Sequence, residues 1–469
     1  MFLRPLFAAL ALAVPAPLLA QALTAAETAR IDTVVSTALA DTGVPSASIA
    51  VVRGGRIVLA KAYGKQAEGR TVADPRQPYQ IASISKQFTA AALLLLEDDG
   101  KLRLDDPIGR YVPGITDGDR ITIRQLLSHT AGLQDYWPQD YSFRAMATPV
   151  TPQQILDRWA RKPLDFAPGT QWQYSNTGYV VAGLIVEKVA GMPLLDFLQT
   201  RVFRPLGIRA VDQDKAVGAG FPQGYKRFAL GPVRVETPAA SGWLYAAGEL
   251  SMSAEDLARW DIARLNRTVM PADDWIAQET PVTLTDGRST SYGLGVIARE
   301  RSGRRVIEHG GEAVGFLSQN IVYPDDKAAI VLLTNAWFAD AQSRIASGIA
   351  DIVLPPLPAA SADATEDAAA LARARAVFGQ LRSGRLDRAL LTDNANYYFT
   401  PVALADYARS LSTLGEPGAF DAEGGARLRG GFVGRAYRVT IGGRTLSIST
   451  FSEPDGRHRF EQFLVSPAQ

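Results

Sequence analysis

The sequence contains no cysteine and only three histidines in 469 residues. The absence of cysteine excludes disulfides, thiolate nucleophiles, cysteine-based zinc sites and a lipidated N-terminal cysteine. The three histidines, His129, His309 and His458, are too few for a histidine-rich metal cluster. We therefore expect no metal and no cofactor, and a chain that is stabilised by its hydrophobic core rather than by cross-links.

An excess of charge of one sign is also missing, because 49 Lys and Arg residues balance 48 Asp and Glu residues and leave a net charge of +1. Such a balance argues against nucleic acid or an acidic surface as the partner. With 47% hydrophobic and 21% charged residues, the composition is that of a globular protein with room for two or three domains. The expected partner is a small-molecule or peptide substrate, and the composition does not indicate an oligomeric state.

The N-terminal residues have the pattern of a secretory signal peptide. Arg4 supplies a positive charge, an apolar stretch covers residues 6–19, and small residues close the segment. The stretch is shorter than the roughly 20 residues that a spanning helix needs, and Pro15 and Pro17 interrupt it. We therefore predict that residues 1–22 are a cleaved signal peptide, that the mature chain has no membrane span, and that the protein is periplasmic or secreted.

The rest of the chain divides at a linker rich in proline and alanine, residues 355–365. Before it, residues 23–354 begin with a helical pattern over 24–40 and a predicted strand hairpin over 46–63. They continue with further helical patterns and return to alternating strand patterns after Tyr292. Strands at the two ends of this segment can form one antiparallel sheet with helices beside it, which is an α+β fold. Residues 366–469 carry two helical patterns before alternating strands and predict a small α+β C-terminal domain of unknown role.

Individual elements follow from periodicity and from cap and turn residues. In the first domain the predicted strands after Tyr292 cover residues 293–297, 306–309, 316–323 and 329–333. The predicted helices there cover residues 24–40, 121–127, 151–161, 180–189, 253–264 and 339–352. In the C-terminal domain we predict helices over 368–382 and 404–411, and strands over 437–441, 445–451 and 460–465.

One short stretch organises the first domain. Ser83 is followed three residues later by Lys86, and an apolar run continues to Leu96. Residues three apart share a face of a helix, so the Ser83 hydroxyl and the Lys86 amine can meet at its N-terminus. A buried, neutral amine can accept the serine proton, and the free N–H groups of a helix start favour the negative charge that develops. The alternative is an exposed lysine on an ordinary helix that Ser83 caps.

The sequence Tyr174-Ser175-Asn176 precedes another predicted helix. Tyr174 can act as a base, or return a proton to the leaving group, if the positive charge of Lys86 lowers its pKa. The Asn176 amide can donate to a substrate carbonyl and orient Lys86. The alternative is a buried tyrosine beside an asparagine that serves as a helix N-cap.

The sequence His309-Gly310-Gly311 closes the strand predicted over 306–309. Glycines at that position let a ligand approach the backbone closely. A backbone N–H just beyond them, that of Glu312, can form an oxyanion hole with the N–H of Ser83. The alternative is a β-bulge or turn with a structural histidine.

In this order the three motifs resemble the serine β-lactamase and penicillin-binding-protein superfamily. The closest resemblance is to the class C β-lactamase-related branch, which includes esterases, D-aminopeptidases and D,D-carboxypeptidases. The phrases at residues 81–88, 126–133 and 253–258 are similar to that branch, and the resemblance covers residues 25–354. It implies an antiparallel sheet flanked by helices, plus a helical subdomain, with the active site between them.

The resemblance also implies roles for the residues of the motifs. Ser83 would be the nucleophile, Lys86 its activator, and Tyr174 the general base or proton relay. The residues that would line the substrate pocket are Asn176, His309, Gly310, Gly311 and Glu312.

The sequence departs from the family pattern at two places, and the first bears on the substrate. His309 stands where penicillin-active members carry a lysine, and a histidine is mostly neutral at neutral pH. This weakens the case for β-lactams and for peptides with a free terminal carboxylate. Gly248-Glu249-Leu250 also replaces an expected Gly-Gly-Leu sequence.

We therefore expect an exported serine hydrolase that forms an acyl-enzyme on Ser83 and cleaves small esters or D-amino-acid-containing amides. Two alternatives remain, a β-lactamase or D,D-carboxypeptidase, and a penicillin-binding sensor or scaffold without turnover. His129 is a candidate base, but a helix-terminal histidine that bonds backbone carbonyls is the favoured interpretation because Lys86 already supplies a base. The sequence has no Gly-x-Ser-x-Gly elbow, which argues against an α/β-hydrolase.

Overall fold

The chain folds into two units that meet in sequence at Pro355 and Pro356. The computed structural model describes residues 22–69, 73–138, 142–218, 220–228, 231–301, 303–354, 364–429, 432–454 and 456–468. The predicted signal peptide, residues 1–22, lies outside the described residues except for Ala22. The predicted linker, residues 355–365, lies outside them except for its last two residues, which belong to a helix.

The strands of the first unit form one main sheet and several small ones. Their bounds are β1 Ser46–Arg53, β2 Arg56–Gly64, β3 Tyr79–Gln80, β4 Val211–Asp212, β5 Tyr225–Lys226, β6 Arg234–Val235, β7 Leu250–Met252, β8 Ile297–Arg301, β9 Arg304–Ala313, β10 Phe316–Tyr323 and β11 Ala328–Thr334. Six of these strands form an antiparallel sheet in the order β2-β1-β11-β10-β9-β8. The first hairpin therefore pairs with the last strands of the unit, and the predicted α+β fold is confirmed.

The helices of the first unit lie mainly between β2 and β8 in the sequence. Their bounds are α1 Ala25–Thr42, α2 Lys86–Asp98, α3 Ile123–Leu127, α4 Pro152–Ile155, α5 Asn176–Ala190, α6 Leu194–Leu198, α7 Arg204–Leu206, α8 Tyr245–Gly248, α9 Ala254–Asn266, α10 Ala272–Glu279 and α11 Ala341–Val353. Short 3₁₀ turns occur at Ala82–Ser85, Ile108–Arg110 and Arg144–Ala147, and π-helical turns at Leu156–Ala160 and Gln199–Phe203. Among the described residues, no helix combines the length and the apolar character that a bilayer crossing requires.

The main sheet has a core on each face because its inner strand β11 is apolar from Ala328 to Leu333. β11 is buried along its whole length. Ile330 and Leu332 pack in the core that includes α1 and α11, whereas Val331 and Leu333 pack in the core that includes α2 and α9. Alternate side chains of one strand thus join two cores, as the two-residue period of a strand requires.

Helix α2 is buried on every side, and this fixes the position of the residues at its start. Its side chains from Lys86 to Leu96 are all buried. The Phe88 ring lies 4.6 Å from the ring of Trp260 on α9 and 5.3 Å from that of Phe203. A helix held by close-packed neighbours on all sides transmits little movement to its ends.

The strand predicted over 293–297 is wrong, because β8 begins only at Ile297. The preceding residues form a turn in which Gly295 has φ +79°. A Cβ on Gly295 would lie 2.7 Å from the carbonyl oxygen of Lys86, so this glycine lets the turn pack directly on the start of α2. The alternating pattern thus belongs to a turn rather than to a strand.

The predicted end of the next strand is also wrong, because β9 runs on past His309 to Ala313. The following glycines stay in register with β10, with Gly310 opposite Gln319 and Gly311 opposite Ser318. Glycine weakens a strand but does not end one where the partner strand continues.

The second unit is a four-stranded antiparallel meander with helices. Its elements are α12 Ala364–Ser383, a 3₁₀ turn at Arg388–Leu390, α13 Asp393–Tyr398, α14 Pro401–Ser412, β12 Pro417–Arg429, β13 Phe432–Ile441, β14 Arg444–Ser452 and β15 Phe460–Pro467. The strands stand in the order β12-β13-β14-β15. Its core contains Phe378 and Phe420, whose rings are 5.8 Å apart. The predicted helices and strands of this segment are present, but β12 and α13 were not predicted, since β12 contains glycines and charged residues that mask its alternation.

Candidate active site

Ser83 and Lys86 lie together at the start of α2. Ser83 is in the 3₁₀ turn Ala82–Ser85, and α2 proper begins at Lys86. The Nζ of Lys86 is 3.0 Å from the Oγ of Ser83. Ser83 is partly exposed, whereas Lys86 is fully buried. The serine is therefore open to a ligand on one side and contacts an amine that solvent does not reach on the other.

The backbone in front of Ser83 is strained. Ala82 has φ +48°, which is an unfavourable conformation for a residue with a Cβ. Ile81 before it is held in place, since its N–H donates to Leu250 and its carbonyl accepts from the hydroxyl of Ser318 at 2.9 Å. Strain that the surrounding structure enforces is characteristic of residues that present a reactive group.

The Lys86 amine has three hydrogen-bond partners. Besides Ser83, it donates to Asn176 Oδ1 and to the carbonyl oxygen of Ala247, each at 2.8 Å. The amide and carbonyl oxygens only accept, whereas the serine hydroxyl can both donate and accept. When Lys86 is neutral, its lone pair therefore has one suitable donor among these partners, the Ser83 hydroxyl.

Burial lowers the pKa of Lys86 from 10.5 to about 7, and the negative charge of Asp135 acts in the opposite direction. Removing an ammonium ion from water disfavours its charged form, which is why the pKa falls. A substantial fraction of the amine is then neutral near physiological pH. The serine thus has a neighbouring group that can take its proton.

Tyr174 lies in the loop before α5, and its ring centroid is 4.8 Å from Lys86 Nζ. Burial raises its pKa above the usual value, while a hydrogen bond with Ser83 acts in the opposite direction. The expectation that Lys86 lowers the pKa of Tyr174 is therefore wrong, because desolvation of the phenolate outweighs other effects. At neutral pH Tyr174 is a protonated phenol. It is therefore better suited to pass on a proton than to act as a general base from the start.

Asn176 is the first residue of α5, and the N-cap is Ser175, whose side chain accepts from the N–H of Gly178. The interpretation of Asn176 as an N-cap is therefore wrong. Its side-chain oxygen faces Lys86, and its Nδ2 donates to Asp135 Oδ2 at 3.2 Å. The carboxylate of Asp135 thus lies one side chain behind the Lys86 amine.

A second chain of hydrogen bonds joins the two histidines of the site. His129 Nδ1 accepts from the N–H of Ser175 at 3.2 Å, so its Nε2 carries the proton and donates to Tyr292. The Tyr292 hydroxyl then donates to His309 Nε2 at 2.9 Å, and His309 Nδ1 donates to the carbonyl oxygen of Gly310 at 2.5 Å. Each donor in this series of hydrogen bonds has one acceptor. The series therefore fixes the tautomers of His129, protonated on Nε2, and of His309, protonated on Nδ1.

Both imidazoles are neutral at neutral pH. Burial and the charge of Lys86 lower the pKa of His309 to about 4, and burial holds the pKa of His129 well below its usual value. The ring nitrogens of His129 are occupied by Ser175 and Tyr292 rather than by backbone carbonyls. The prediction that His129 bonds backbone carbonyls is thus wrong. Among its described contacts the ring does not bond Ser83 either.

β9 extends past the end of β8 to Ala313. β8 pairs with β9 as far as Glu308, whereas β10 pairs with it up to Ala313. A two-residue turn joins Ala313 to Phe316, so these two form a hydrogen-bonded pair and every second residue of β9 bonds β10. By this alternation the N–H groups of Gly310 and Glu312 point to the edge of β9 that faces away from β10.

Gly311 allows β9 to approach the turn that carries Ser83. A Cβ at Gly311 would lie 2.1 Å from the carbonyl oxygen of Ile81 and 2.2 Å from Ser318 Oγ. At Gly310 the nearest atom to such a Cβ is 3.6 Å away, on the side chain of Gln319. The second glycine is therefore required by packing, and the first is not.

These contacts predict that Gly311→Ala lowers the free energy of unfolding by about 1–3 kcal/mol, because the added methyl group has no space. Gly310→Ala is the matched control, and we expect it to be neutral or slightly stabilising because alanine is favoured over glycine within a strand. Thermal or denaturant unfolding of the two variants tests this. Equal stabilities would show that the close approach of β9 to Ile81 is not as described.

The structure brings Ser83, Lys86, Tyr174 and Asn176 together and connects His309 to them through the Tyr174 ring, which is 6.2 Å away. Sequence reasoning missed two members of the site, the half-buried Asp135 and the buried Tyr292. Asp135 lies two residues after the segment 126–133, which is similar to the family, and this proximity is the one local indication of its role. Tyr292 has no local signal, because the tertiary fold brings it to both histidines.

Comparison with known proteins identifies the family of the chain. A family model described as Beta-lactamase matches residues 31–353, which is more than half of the chain. The chain belongs to the beta-lactamase family. The resemblance to the serine β-lactamase and penicillin-binding-protein superfamily is therefore confirmed.

Three relatives show which branches of the beta-lactamase family lie near this chain. Penicillin-binding protein 4* of Bacillus subtilis is 30% identical over 279 residues, 55% of this chain and 60% of that protein. D-aminopeptidase of Brucella canis is 30% identical over 303 residues, 62% of this chain and 56% of that protein. The crystal structure of a D-stereospecific amidohydrolase from Streptomyces sp. superimposes with a TM-score of 0.59 and 29% identity over 68% of this chain and 98% of its own. This family member thus matches less than two thirds of the length of either curated relative.

Proposed function

We propose that the protein is an exported serine hydrolase that forms an acyl-enzyme on Ser83 and cleaves small esters or D-amino-acid-containing amides and peptides. The observation that carries the proposal is the pair of Ser83 Oγ and Lys86 Nζ, 3.0 Å apart, at the start of a buried helix. A hydroxyl beside an amine that burial keeps partly neutral is an activated nucleophile.

In the first step neutral Lys86 takes the proton of Ser83, and Oγ attacks the substrate carbonyl carbon. The negative charge on the carbonyl oxygen is accepted by the N–H groups of Ser83 and Glu312. The N–H of Glu312 suits this task because it points to the edge of β9 away from β10. Donors fixed in the backbone stabilise the developing charge without having to reorient.

Collapse of the tetrahedral intermediate requires a proton for the leaving amine or alcohol. Tyr174 supplies it, since its phenol is protonated at neutral pH and bonds Ser83. Lys86, now an ammonium ion beside the Tyr174 ring, restores the proton to the phenol. In the second step neutral Lys86 takes a proton from the water that attacks the acyl carbonyl carbon. As the bond between that carbon and Ser83 Oγ breaks, Lys86 gives the proton to Oγ, and the acid is released.

The charges of the site favour substrates without a carboxylate at the recognition position. His309 stands at the family's lysine position and is neutral, because burial and Lys86 lower its pKa to about 4. The names of the D-aminopeptidase and the D-stereospecific amidohydrolase support amides of D-amino acids as the substrate class. The name of penicillin-binding protein 4* supports the second candidate, a β-lactamase, D,D-carboxypeptidase or penicillin-binding sensor.

A turnover panel tests the substrate class. We expect hydrolysis of nitrophenyl acyl esters and of D-amino acid anilides, slower reaction with the L-anilides, and little turnover of a chromogenic cephalosporin or a D-alanyl-D-alanine peptide. Faster turnover of the last two than of the esters and anilides would contradict the proposal. Stable acylation by a penicillin without turnover of any substrate would favour the sensor.

The pKa of Lys86 sets the pH dependence that we predict. Because the base must be neutral, kcat/KM for a nitrophenyl ester should rise with pH through a midpoint close to 7, the pKa of Lys86 in the folded protein. Tyr174 should add no loss on the alkaline side up to about pH 10, since its pKa is raised. A pH–rate profile checks this, and a midpoint near 10 would show that burial does not lower the pKa of Lys86.

We also propose that residues 23–354 form the hydrolase domain, that residues 355–365 link it to a small domain over 366–469, and that residues 1–22 direct export. N-terminal sequencing of the protein secreted by its host tests the last point. A mature N-terminus near Ala22 is expected, and an intact Met1 in the cytoplasm would contradict export.

A further inference from the structure

Asp135 lies behind the catalytic residues and does not contact Ser83 among its described hydrogen bonds. Its Oδ1 accepts from the backbone N–H groups of Asn176 at 3.0 Å and of Trp137 at 3.2 Å. Its Oδ2 accepts from the Asn176 side-chain Nδ2 at 3.2 Å. These three N–H donors fill three of the roughly four acceptor positions of the carboxylate and favour its charged form, whereas burial raises the pKa of Asp135.

These bonds determine which way the Asn176 amide points. An amide has an oxygen that accepts and a nitrogen that donates, and the two ends are similar in shape. Because Asp135 only accepts, the nitrogen must face it, and the oxygen is then directed at Lys86 Nζ, 2.8 Å away. With the amide reversed, two donors would face each other at Lys86 and two acceptors at Asp135.

We propose that Asp135 is a positioning residue that orients the Asn176 amide and thereby holds Lys86 in contact with Ser83. This inference rests on the proposed function, in which Lys86 takes the serine proton. It assigns to the loop after α3 a part in the chemistry that none of the three sequence motifs contains.

The charge of Asp135 has a second consequence for Lys86. It opposes the desolvation that lowers the pKa of Lys86. The other titratable groups that face the amine are Tyr174 and Tyr179 with their rings, and His129 and His309, both neutral. Asp135 is thus the negative charge among these groups.

The test is the pH profile of Asp135→Asn with a nitrophenyl acyl ester that carries no amine, so that lost contacts to a substrate ammonium group do not contribute. We expect kcat to fall about tenfold or more through misplacement of Lys86, and the acid midpoint to move down by about one unit through loss of a nearby opposite charge. In an Asn176→Ala background the same substitution should have little further effect on kcat, because the group through which it acts is gone.

Asp135→Ser is the companion variant if Asp135→Asn folds poorly, since a serine hydroxyl can still accept from the Trp137 N–H. Circular dichroism and thermal unfolding establish folding. An unchanged acid midpoint in a folded variant would overturn the proposal. So would a fall in kcat that is as large in the Asn176→Ala background as in the wild-type background. If the wild-type protein does not hydrolyse the ester at all, the proposed function fails instead, so the two failures are distinguishable.

Discussion

Lys86→Arg should reduce turnover of every substrate by about 10²–10⁴-fold or more, which is the usual contribution of a general base. Arginine keeps the positive charge and can still donate hydrogen bonds to Asn176 and Ala247. It cannot give up its proton in a protein, however, so it cannot accept one from Ser83. The measurement is kcat/KM with a nitrophenyl ester across the pH range.

Lys86→Met is the matched control, because it has a similar length and no charge. If Lys86 acts as a base, the arginine and methionine variants should be equally inactive. If it acts only through its positive charge, the arginine variant should retain much more activity than the methionine variant. Substantial turnover by folded Lys86→Arg would therefore refute the role that we assign to the amine.

Tyr174→Phe should have a large effect that depends on the leaving group. Phenylalanine keeps the ring beside His129, whose centroid is 4.2 Å away, and removes only the hydroxyl. An amine must be protonated to leave, whereas a nitrophenolate leaves without a proton. We therefore expect a loss of about 10²–10⁴-fold with a D-amino acid amide, and a clearly smaller loss with a nitrophenyl ester.

Tyr179→Phe is the control for this experiment. The Tyr179 ring also lies over Lys86, at 5.3 Å, but its hydroxyl donates to the carbonyl oxygen of Leu127. Removing that hydroxyl should leave the ratio of amide to ester turnover unchanged. Equal losses of amide and ester activity in Tyr174→Phe would show that the phenol does not serve the leaving group.

The parts of the site that depend on local spacing could be predicted from the sequence. A serine and a lysine three residues apart at the start of an apolar run share a helix face whatever the rest of the fold does. The antiparallel sheet could be predicted as well, because the strands of the first unit have alternating or continuously apolar patterns. Membership of the family followed from the order of the motifs.

The parts that depend on tertiary contacts could not be predicted. Tyr292 bonds both His129 and His309, yet it lies 163 and 17 residues from them in the chain. The glycines after His309 suggested the end of a strand, but Gly311 is needed for the close approach of Ile81. The direction of the Tyr174 pKa follows from burial, which the sequence around the residue does not reveal.

The central claim is that Ser83 becomes acylated, and labelling with a fluorophosphonate followed by intact-mass and peptide analysis tests it most directly. The hydroxyl of Ser85 is two residues away and accepts from the N–H of Leu250, so Ser85→Ala is the control. We predict one adduct on the peptide that contains Ser83 in the wild type and in Ser85→Ala, and none in Ser83→Ala. An adduct that forms as fast in Ser83→Ala, or that maps to another residue, would contradict the account.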